Sequence, residues 1–412
     1  MSVANLSMKG EQKPGPTGVP YVTPLKDLCV RVVSQNFEER PHFGRLPDIF
    51  VRKIIEGLDI DLPLELVGTV IHDENYWKRR CCARWKNCQV TGHGISWKQL
   101  YFERNVENAM ERYDPQTTEI NALKRLFAFS KKFVRSVCIT QLPSHLDLQL
   151  LFDNMASCLT SLSLTYGMMN VGMDYDRSLF GMKLSDCRSL AKALERTETL
   201  TYLNLSGNLL DDEKVRMVAS GLVDNLSVTH LNLSHNKIAD RGVRALAKLL
   251  DSKSVIGMLE LADNQVHTEG GRALARALRA NHSLLALNLR LNRIGDEGGR
   301  ALCDVLRSNT SLQRLNLGAN ELSHLTALSL AALIGTNSTV LDIDVTSNNF
   351  GPEGGKQIRE ALEDNRTVRK IDLRLCNIGT DHETAIMELV KAHGAGIDFN
   401  QMGHAGYTIH HR

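Results

Sequence analysis

The nine-residue stretch LLALNLRLN (284–292) decides the fold, because close copies of it recur along the chain at a constant interval. Six copies end in asparagine and a seventh ends in cysteine. The final residues of the seven copies are Asn208, Asn236, Asn264, Asn292, Asn320, Asn348 and Cys376, each 28 residues after the one before. A fixed period of this length is typical of proteins built from stacked structural repeats.

Each copy contains the parts of a strand and of a helix. The paired leucines Leu287 and Leu289 are two residues apart, so a strand turns both of them to one face. Leu302 and Leu306 are four apart, which places them on one face of a helix. The closing asparagine has an amide that donates and accepts, so a stack of such residues can satisfy the free backbone groups of the turn. A single unit cannot bury its own apolar face, so the pattern predicts that neighbouring units share a core.

A strand-and-helix unit of this length resembles the ribonuclease-inhibitor type of leucine-rich repeat. The resemblance implies an α/β solenoid, a curved array with parallel strands on its concave face and helices outside. Two less regular copies come first, FVRSVCITQL (133–142) and CLTSLSLTYG (158–167), with Gly167 in the asparagine place. The interval from Gly167 to Asn208 exceeds one period, so we expect an inserted loop near 168–182.

A second asparagine recurs just after each predicted helix. These residues are Asn225, Asn281, Asn309, Asn337 and Asn365. Asparagine tolerates the left-handed backbone conformation that ends many helices, so we expect it at these positions. Each also begins an N-x-[ST] glycosylation sequence, but the repeat itself explains the position.

The pattern divides the chain into four segments. Residues 1–22 are rich in proline and glycine, and we expect them to be disordered. Residues 23–133 are expected to form a mainly helical N-terminal domain and cap, and 134–392 the repeat array with its insertion. Residues 393–412 lose the pattern and form a tail rich in glycine and histidine.

Two features are expected inside the N-terminal domain. The segment LPDIFVRKIIEGL (46–58) is expected to be an amphipathic helix. Its apolar side would carry Ile49, Val51, Ile54, Ile55 and Leu58. Aromatic residues lie close together in the sequence and are expected to form a small core. They are Trp77, Trp85, Trp97, Tyr76, Tyr101 and Phe102.

Composition excludes several classes of partner. The 49 Lys and Arg nearly cancel the 47 Asp and Glu, so charge gives no reason to expect nucleic acid or a membrane surface. No stretch reaches the roughly 18 apolar residues of a membrane helix. Nine cysteines without a framework fit a reducing compartment. We therefore expect a soluble intracellular protein.

Motifs of catalysis are missing from the sequence. It has no phosphate-binding loop, no H-E-x-x-H and no G-x-S-x-G. The group Cys81, Cys82, Cys88 and His93 matches no zinc spacing, and packing cysteines are the favoured interpretation. For His404, His410 and His411 a mobile polar terminus is favoured over a loose metal site. We predict neither an enzyme nor a cofactor.

One outward residue lies between the paired apolar residues of each strand, and these residues form a polar column. The column consists of Asn204, Asn232, Glu260, Asn288, Asn316, Asp344 and Asp372. Beside it stand the cations Arg290, Arg314, Lys370 and Arg374. Two interpretations stay open, a solvated strand face or a docking surface for a charged protein partner.

Several segments go beyond a generic repeat. The elements DENYWKRRC (73–81) and SWKQLYFER (96–104), together with LNLRLNRIGDEGGRAL (287–302), resemble the T-complex-associated testis-expressed protein 1 family. That family is the leucine-rich-repeat subunit 5 of the nexin–dynein regulatory complex. The resemblance runs from about residue 24 to 392.

The resemblance implies a non-catalytic scaffold in the cytoskeleton of cilia and flagella. It would sit in the axoneme, in the link between doublet microtubules that regulates dynein-driven sliding. Its partners would be other subunits of the complex, many of them coiled coils, with doublet microtubules and dyneins contacted indirectly. The alternative is an F-box-like leucine-rich-repeat adaptor of a ubiquitin ligase, because LPDIFVRKIIEGLD (46–59) resembles the opening of an F-box.

Overall fold

The computed structural model describes residues 23–143, 146–168, 176 and 179–394. The chain divides into two compact units, Met1–Tyr101 and Phe102–Arg412. The predicted disordered start, most of the insertion and nearly all of the tail lie outside the described residues. The predicted domain limits therefore stay predictions.

Short helices make up the described part of the first unit. They are α1 (Leu25–Gln35), α2 (Asp48–Gly57), α3 (Leu64–Val70), α4 (Glu74–Arg84) and the start of α5 (Trp97–Glu111). Helix α4 begins at an N-cap, where the side chain of Asp73 accepts a hydrogen bond from the backbone N–H of Tyr76.

Aromatic rings pack together in this first unit, as the sequence predicts for most of them. The ring of Trp77 lies 5.5 Å from that of Tyr76 and 5.4 Å from that of Tyr101, between ring centroids. Trp85 also contacts Tyr101, at 5.4 Å. Phe102 belongs to the second unit, where it stacks on Phe133 with the centroids 4.3 Å apart.

The expectation for helix α2 is wrong at one residue. Ile54, Ile55 and Leu58 are buried, whereas Ile49 is 64% exposed. A helix turns by about 100° per residue, so Ile49 lies almost opposite Ile54 and Leu58. Counting apolar residues overstated the width of the buried face.

The second unit alternates strands with helices after the end of α5. Its helices are α6 (Ile120–Ser130), α7 (Gln149–Met155), α8 (Leu184–Leu194), α9 (Asp212–Ser220), α10 (Asp240–Leu249), α11 (Thr268–Leu278), α12 (Gly295–Leu306), α13 (His324–Thr336), α14 (Gly351–Asp364) and α15 (Thr380–Gly394). Its strands are β1 (Ser136–Leu142), β2 (Ser161–Tyr166), β3 (Tyr202–Asn204), β4 (His230–Asn232), β5 (Met258–Glu260), β6 (Ala286–Asn288), β7 (Arg314–Asn316), β8 (Asp342–Asp344) and β9 (Lys370–Asp372).

The nine strands form one parallel sheet in sequence order, with β1 and β9 at its edges. The register advances by one repeat at each step, so Leu259 pairs with Leu287 and Leu287 with Leu315. Each helix from α7 to α15 packs against the next. The predicted α/β leucine-rich-repeat solenoid is confirmed, and both early irregular copies form strands.

The core lies between the sheet and the helices. Leu287 and Leu289 of the quoted copy are buried, as are Leu302 and Leu306 of the following helix. Each such side chain contributes about 1.5–3 kcal/mol when it leaves water. The period-2 strand and the four-residue helix spacing therefore identify the buried face correctly.

The asparagine that closes each copy ties neighbouring repeats together. The Nδ2 group of Asn292 donates to the carbonyl of Leu289 in its own turn and to that of Leu261 in the preceding repeat, both at 2.9 Å. Its Oδ1 accepts from the backbone N–H of Val266 at 3.0 Å. In the last copy Cys376 replaces the amide, and its Sγ donates to the carbonyl of Val345 at 3.0 Å.

The second asparagine of each repeat does not adopt the predicted left-handed conformation. Asn337 has φ −92° and ψ 142°, and Asn365 has φ −76° and ψ 140°, both extended. Its side chain explains the position instead. Asn309 Nδ2 donates to the carbonyl of Leu278 at 3.0 Å, and its Oδ1 accepts from the N–H of Leu312 at 2.9 Å.

The left-handed conformation falls elsewhere, on the residue before the closing asparagine or cysteine. In all seven copies φ is positive at this position, which is occupied by Gly207, His235, Asp263, Leu291, Ala319, Ser347 and Leu375. At this tight turn the chain leaves the strand, and the amide of the next residue holds the turn closed.

Aspartates at the starts of helices form a third set of links between repeats. Asp240 Oδ1 accepts from the N–H groups of His267 and Gly270, at 2.8 and 2.9 Å, in the repeat that follows. Asp212, one repeat before Asp240, accepts hydrogen bonds from the backbone of the following repeat in the same way. Asp296, two repeats after Asp240, does so as well. A carboxylate of one repeat thus caps the helix of the next, where free N–H groups favour negative charge.

We expect Asn309→Gly to destabilise the protein as strongly as Asn309→Ala does. If backbone conformation mattered most, glycine would be tolerated better. Loss of the side chain instead leaves buried carbonyl and N–H groups unsatisfied, at about 1–3 kcal/mol each. Urea denaturation followed by circular dichroism measures the difference, with the exposed Asn121→Ala in α6 as control. Near-native stability of the glycine variant would contradict the role assigned to the amide.

Candidate functional site

The sheet of the second unit packs against helices on one side and leaves an open face on the other. Three columns of side chains form this open face between β3 and β9. The first column contains Tyr202, His230, Met258, Ala286, Arg314, Asp342 and Lys370. The middle column is the predicted polar column from Asn204 to Asp372. The third contains Ser206, Ser234, Ala262, Arg290, Gly318, Thr346 and Arg374.

The structure brings all eleven predicted residues onto this one face. Members of the polar column pair directly across neighbouring strands, as Asn204 does with Asn232 and Asp344 does with Asp372. Arg314 and Lys370 lie in the first column, and Arg290 lies in the third, as does Arg374. The face is therefore continuous over seven strands.

Charges in the C-terminal half of the open face are paired with each other. Arg290 reaches two repeats forward, to 3.7 Å from Asp344 and 3.0 Å from the hydroxyl of Thr346. Arg374 lies 2.6 Å from Asp372, and its hydrogen bonds hold the pKa of that carboxyl below its ordinary value. Exposed ion pairs contribute only about 0–1 kcal/mol, so an incoming charged group can replace them at low cost.

The N-terminal half of the open face differs in character. The rings of Tyr202 and His230 lie 4.7 Å apart between centroids. Burial, helped by the positive charge of Arg314, lowers the pKa of His230 to about 4, so its imidazole is neutral at neutral pH. This half therefore offers aromatic and amide groups, in contrast to the charges of the other half.

Glu260 marks the boundary between the two halves. It is half-buried, and burial raises the pKa of its carboxyl above the ordinary value, although Asn288 and Arg314 oppose the shift. Asn288 Nδ2 donates to its Oε2 at 2.6 Å. Arg314 extends back over two strands to bring its Nη2 within 3.5 Å of the Met258 sulfur.

Sequence reasoning missed most of the first column. Tyr202, His230 and Asp342 belong to the open face, although only the residues between the leucines and the nearby cations were predicted. The signal was available, because each first-column residue lies two positions before its polar-column neighbour and shares its strand face.

The described residues contain no metal-binding arrangement of three or more His, Cys, Asp or Glu. Cys81 is buried and Cys82 is exposed, so the two adjacent cysteines point to different surroundings. Within the same part of the chain, no helix has both the length and the apolar content needed to cross a bilayer.

Comparison with known proteins supports the repeat assignment. The family described as Leucine Rich repeat matches residues 224–247, 259–275, 280–303, 336–358 and 364–381. Among solved structures, the leiomodin-1 actin-binding site 2 matches 37% of this chain and 88% of that chain. Its sequence identity is 18% and its TM-score is 0.33, too low to support an argument.

Curated relatives give a sharper match. The dynein regulatory complex subunit 5 of Chlamydomonas reinhardtii is 63% identical over 196 residues, 48% of this chain and 50% of the relative. The subunits of the same name from Mus musculus and Homo sapiens are 36% and 37% identical over 229 and 228 residues, 49% of this chain and 46% of each relative. The chain spans about half the length of these curated relatives.

Fold and face together define a leucine-rich-repeat protein of the strand-and-helix type, with an open sheet suited to protein contacts. Within that class, the chain is similar over about half of its length to the dynein regulatory complex subunit 5 proteins of Chlamydomonas reinhardtii, Mus musculus and Homo sapiens. The names of these relatives give no support to the F-box alternative, whose proposed segment forms helix α2.

We expect Glu260→Gln to stabilise the protein at neutral pH. The pKa of Glu260 is raised in the folded state, so its ionised form is disfavoured there. The wild type therefore gains stability as pH falls through that raised pKa, and the variant lacks this gain. The difference in unfolding free energy between the variant and the wild type should vanish below pH 4.5, the ordinary pKa of a glutamate carboxyl.

Urea denaturation between pH 7 and pH 4 measures this effect. The control is Glu360→Gln, on the exposed side of α14. An equal stability difference at both pH values would mean that burial of Glu260 does not control its ionisation.

Proposed function

We propose that this chain is a non-catalytic scaffold subunit of the dynein regulatory complex. In this role it lies in the axonemal link between doublet microtubules and helps to regulate dynein-driven motility of cilia and flagella. The observation that carries the proposal is the 63% identity, over 196 residues, to a relative named for that complex.

The fold suits a scaffold. Side-chain hydrogen bonds of the closing asparagines, of the second asparagines and, at three repeats, of the aspartates join neighbouring repeats, so equivalent strands and helices lie side by side. Residues of the open face lie on strands, which hold binding groups more accurately than loops do. Such a surface acts by holding partners in place. The ion pairs and the polar column do not place a nucleophile beside a base, as a catalytic site would require.

The open face is the surface proposed to contact other subunits of the complex, including coiled-coil proteins. Coiled coils present alternating charges beside their apolar seam. The C-terminal half of the face offers both signs of charge over four strands, with Arg290 and Arg374 beside Asp344 and Asp372. Exchange of these internal pairs for pairs with a partner would give charge-based specificity.

A tagged copy of the chain, expressed in ciliated cells that lack the endogenous protein, tests the role. We expect it along the axoneme and retained there after membrane removal and a salt wash. Immunofluorescence and fractionation provide the measurements. A diffuse cytosolic signal, absent from axonemes, would rule out the proposed role.

The open face is tested by Arg290→Glu with Arg314→Glu in the same cells. Reversal of two charges should reduce the axonemal fraction severalfold, because interface charge pairs then repel. The matched control, Arg241→Glu with Arg244→Glu, makes the same change on the exposed side of α10. Equal retention of both variants would mean that the open face is not the docking surface.

A further inference from the structure

Helix α13 presents an uncharged surface in an otherwise highly charged layer of helices. The segment 322–341, which contains this helix, has no Asp, Glu, Lys or Arg. The equivalent segments of the neighbouring repeats, 294–313 and 350–369, have five and eight. The difference is confined to one repeat, so the general composition of the protein does not explain it.

The exposed side of α13 has His324 and Thr336 at its two ends and four uncharged residues, Leu325, Leu328, Ala332 and Gly335, along its length. Leu325 is 42% exposed and Leu328 is 43% exposed. Ala332 and Gly335 are also exposed, and a Cβ atom added to Gly335 would meet nothing within 4 Å. The spacings of three, four and three residues place all four on one side of the helix. We call this surface the α13 ridge.

Charged residues occupy the same positions on both flanking helices, because α13 packs between α12 and α14. The equivalents of Leu325 are acidic on both sides, those of Leu328 are basic, and those of Ala332 are acidic again. On α12 they are Glu297, Arg300 and Asp304, and on α14 they are Glu353, Lys356 and Glu360, all exposed. The α13 ridge is therefore bordered on each side by the same acidic, basic, acidic order.

We propose that the α13 ridge is a docking site for an amphipathic α-helix of another polypeptide. Two leucines followed by two small residues form a ridge that fits the groove of a facing helix, and the small residues permit close approach. The partner helix carries apolar residues at its centre. On each side of this apolar centre the partner helix carries a basic, an acidic and a basic residue, in the order that pairs with the acidic, basic and acidic residues of α12 and α14.

The spacing of the border charges favours a helix over a strand as the occupant. Successive charges are three or four residues apart on helices, which is about 5 Å along the axis. A partner helix repeats its side chains at the same interval of one turn. A strand places side chains on one face only every ~6.7 Å, so two of its steps cover roughly 13 Å and exceed the roughly 10 Å between the first and third border charges.

The size of the α13 ridge indicates that the contact is one part of a larger assembly. From Leu325 to Gly335 the ridge is about 15 Å long. With a helix width of ~10 Å it covers ~150 Å², far below the roughly 800 Å² that each partner buries in a stable independent complex. The partner must therefore be held elsewhere too, which suits a multisubunit structure better than an isolated dimer of this chain.

Photo-crosslinking of the full chain in axonemes tests the proposal. The probe is p-benzoylphenylalanine in place of Leu328, and mass spectrometry identifies the crosslinked peptide. We expect a peptide of a different polypeptide, with apolar residues three and four apart and flanking charges of the predicted order. Axonemal localisation of the probe-bearing chain is checked first. Loss of localisation would contradict the proposed function, on which this test depends, and would not bear on whether the α13 ridge is a docking site.

Two variants of the probe-bearing chain complete the test. Leu325→Glu with Ala332→Glu gives α13 the same acidic residues that α14 has at these exposed positions, so we expect a native fold, which circular dichroism checks. This variant should reduce the crosslink by roughly tenfold or more, as loss of central interface contacts does. Val223→Glu with Leu226→Glu makes the same charge change at exposed apolar residues after α9 and should leave the crosslink intact.

Three outcomes would overturn the proposal while the chain still localises to axonemes. They are absence of any crosslink, a crosslink to a second copy of this chain, and a crosslink to a peptide without helical apolar spacing. Survival of the crosslink in the Leu325→Glu, Ala332→Glu variant would overturn it as well.

Discussion

The buried amide at the end of each strand is the interaction on which the rest of the array depends. Each strand from β3 to β9 is only three residues long, so the backbone carbonyl and N–H groups of the turn that follows lie in an apolar layer outside the strand hydrogen bonds. Asn292 satisfies groups of its own turn and of the preceding one together, through a single side chain. Without these bonds the leucines could still be buried, but the unsatisfied polar groups would offset much of that gain.

The same amides determine how the surfaces are arranged. Each strand is held at a fixed register, so its outward residues form straight columns and its helix stands beside the equivalent helix of the next repeat. Equivalent positions then become neighbours in space. This is why a change of composition in one repeat produces a local surface such as the α13 ridge, and why opposite charges two repeats apart can meet on the open face.

Much of this structure can be predicted from the sequence, because period and side-chain chemistry are enough to identify strands, buried leucines and the asparagine that closes each turn. The second asparagine was predicted correctly in position and wrongly in mechanism. Residue preferences alone do not distinguish a backbone conformation from a side-chain bond, and Asn309 acts through its amide. The reach of Arg290 to Asp344 and the burial of Glu260 depend on side-chain length and packing, which no sequence pattern specifies.

The closing amides also give the array a direction. The oxygen of Asn236 accepts hydrogen bonds from Asn208 and Leu210, which belong to the repeat before it. The turn of a repeat is therefore completed by the repeat that follows it in the sequence, whereas its helix is capped by the repeat before it. During translation, the turn nearest the ribosome therefore lacks its side-chain acceptor until the closing asparagine of the next repeat has been added.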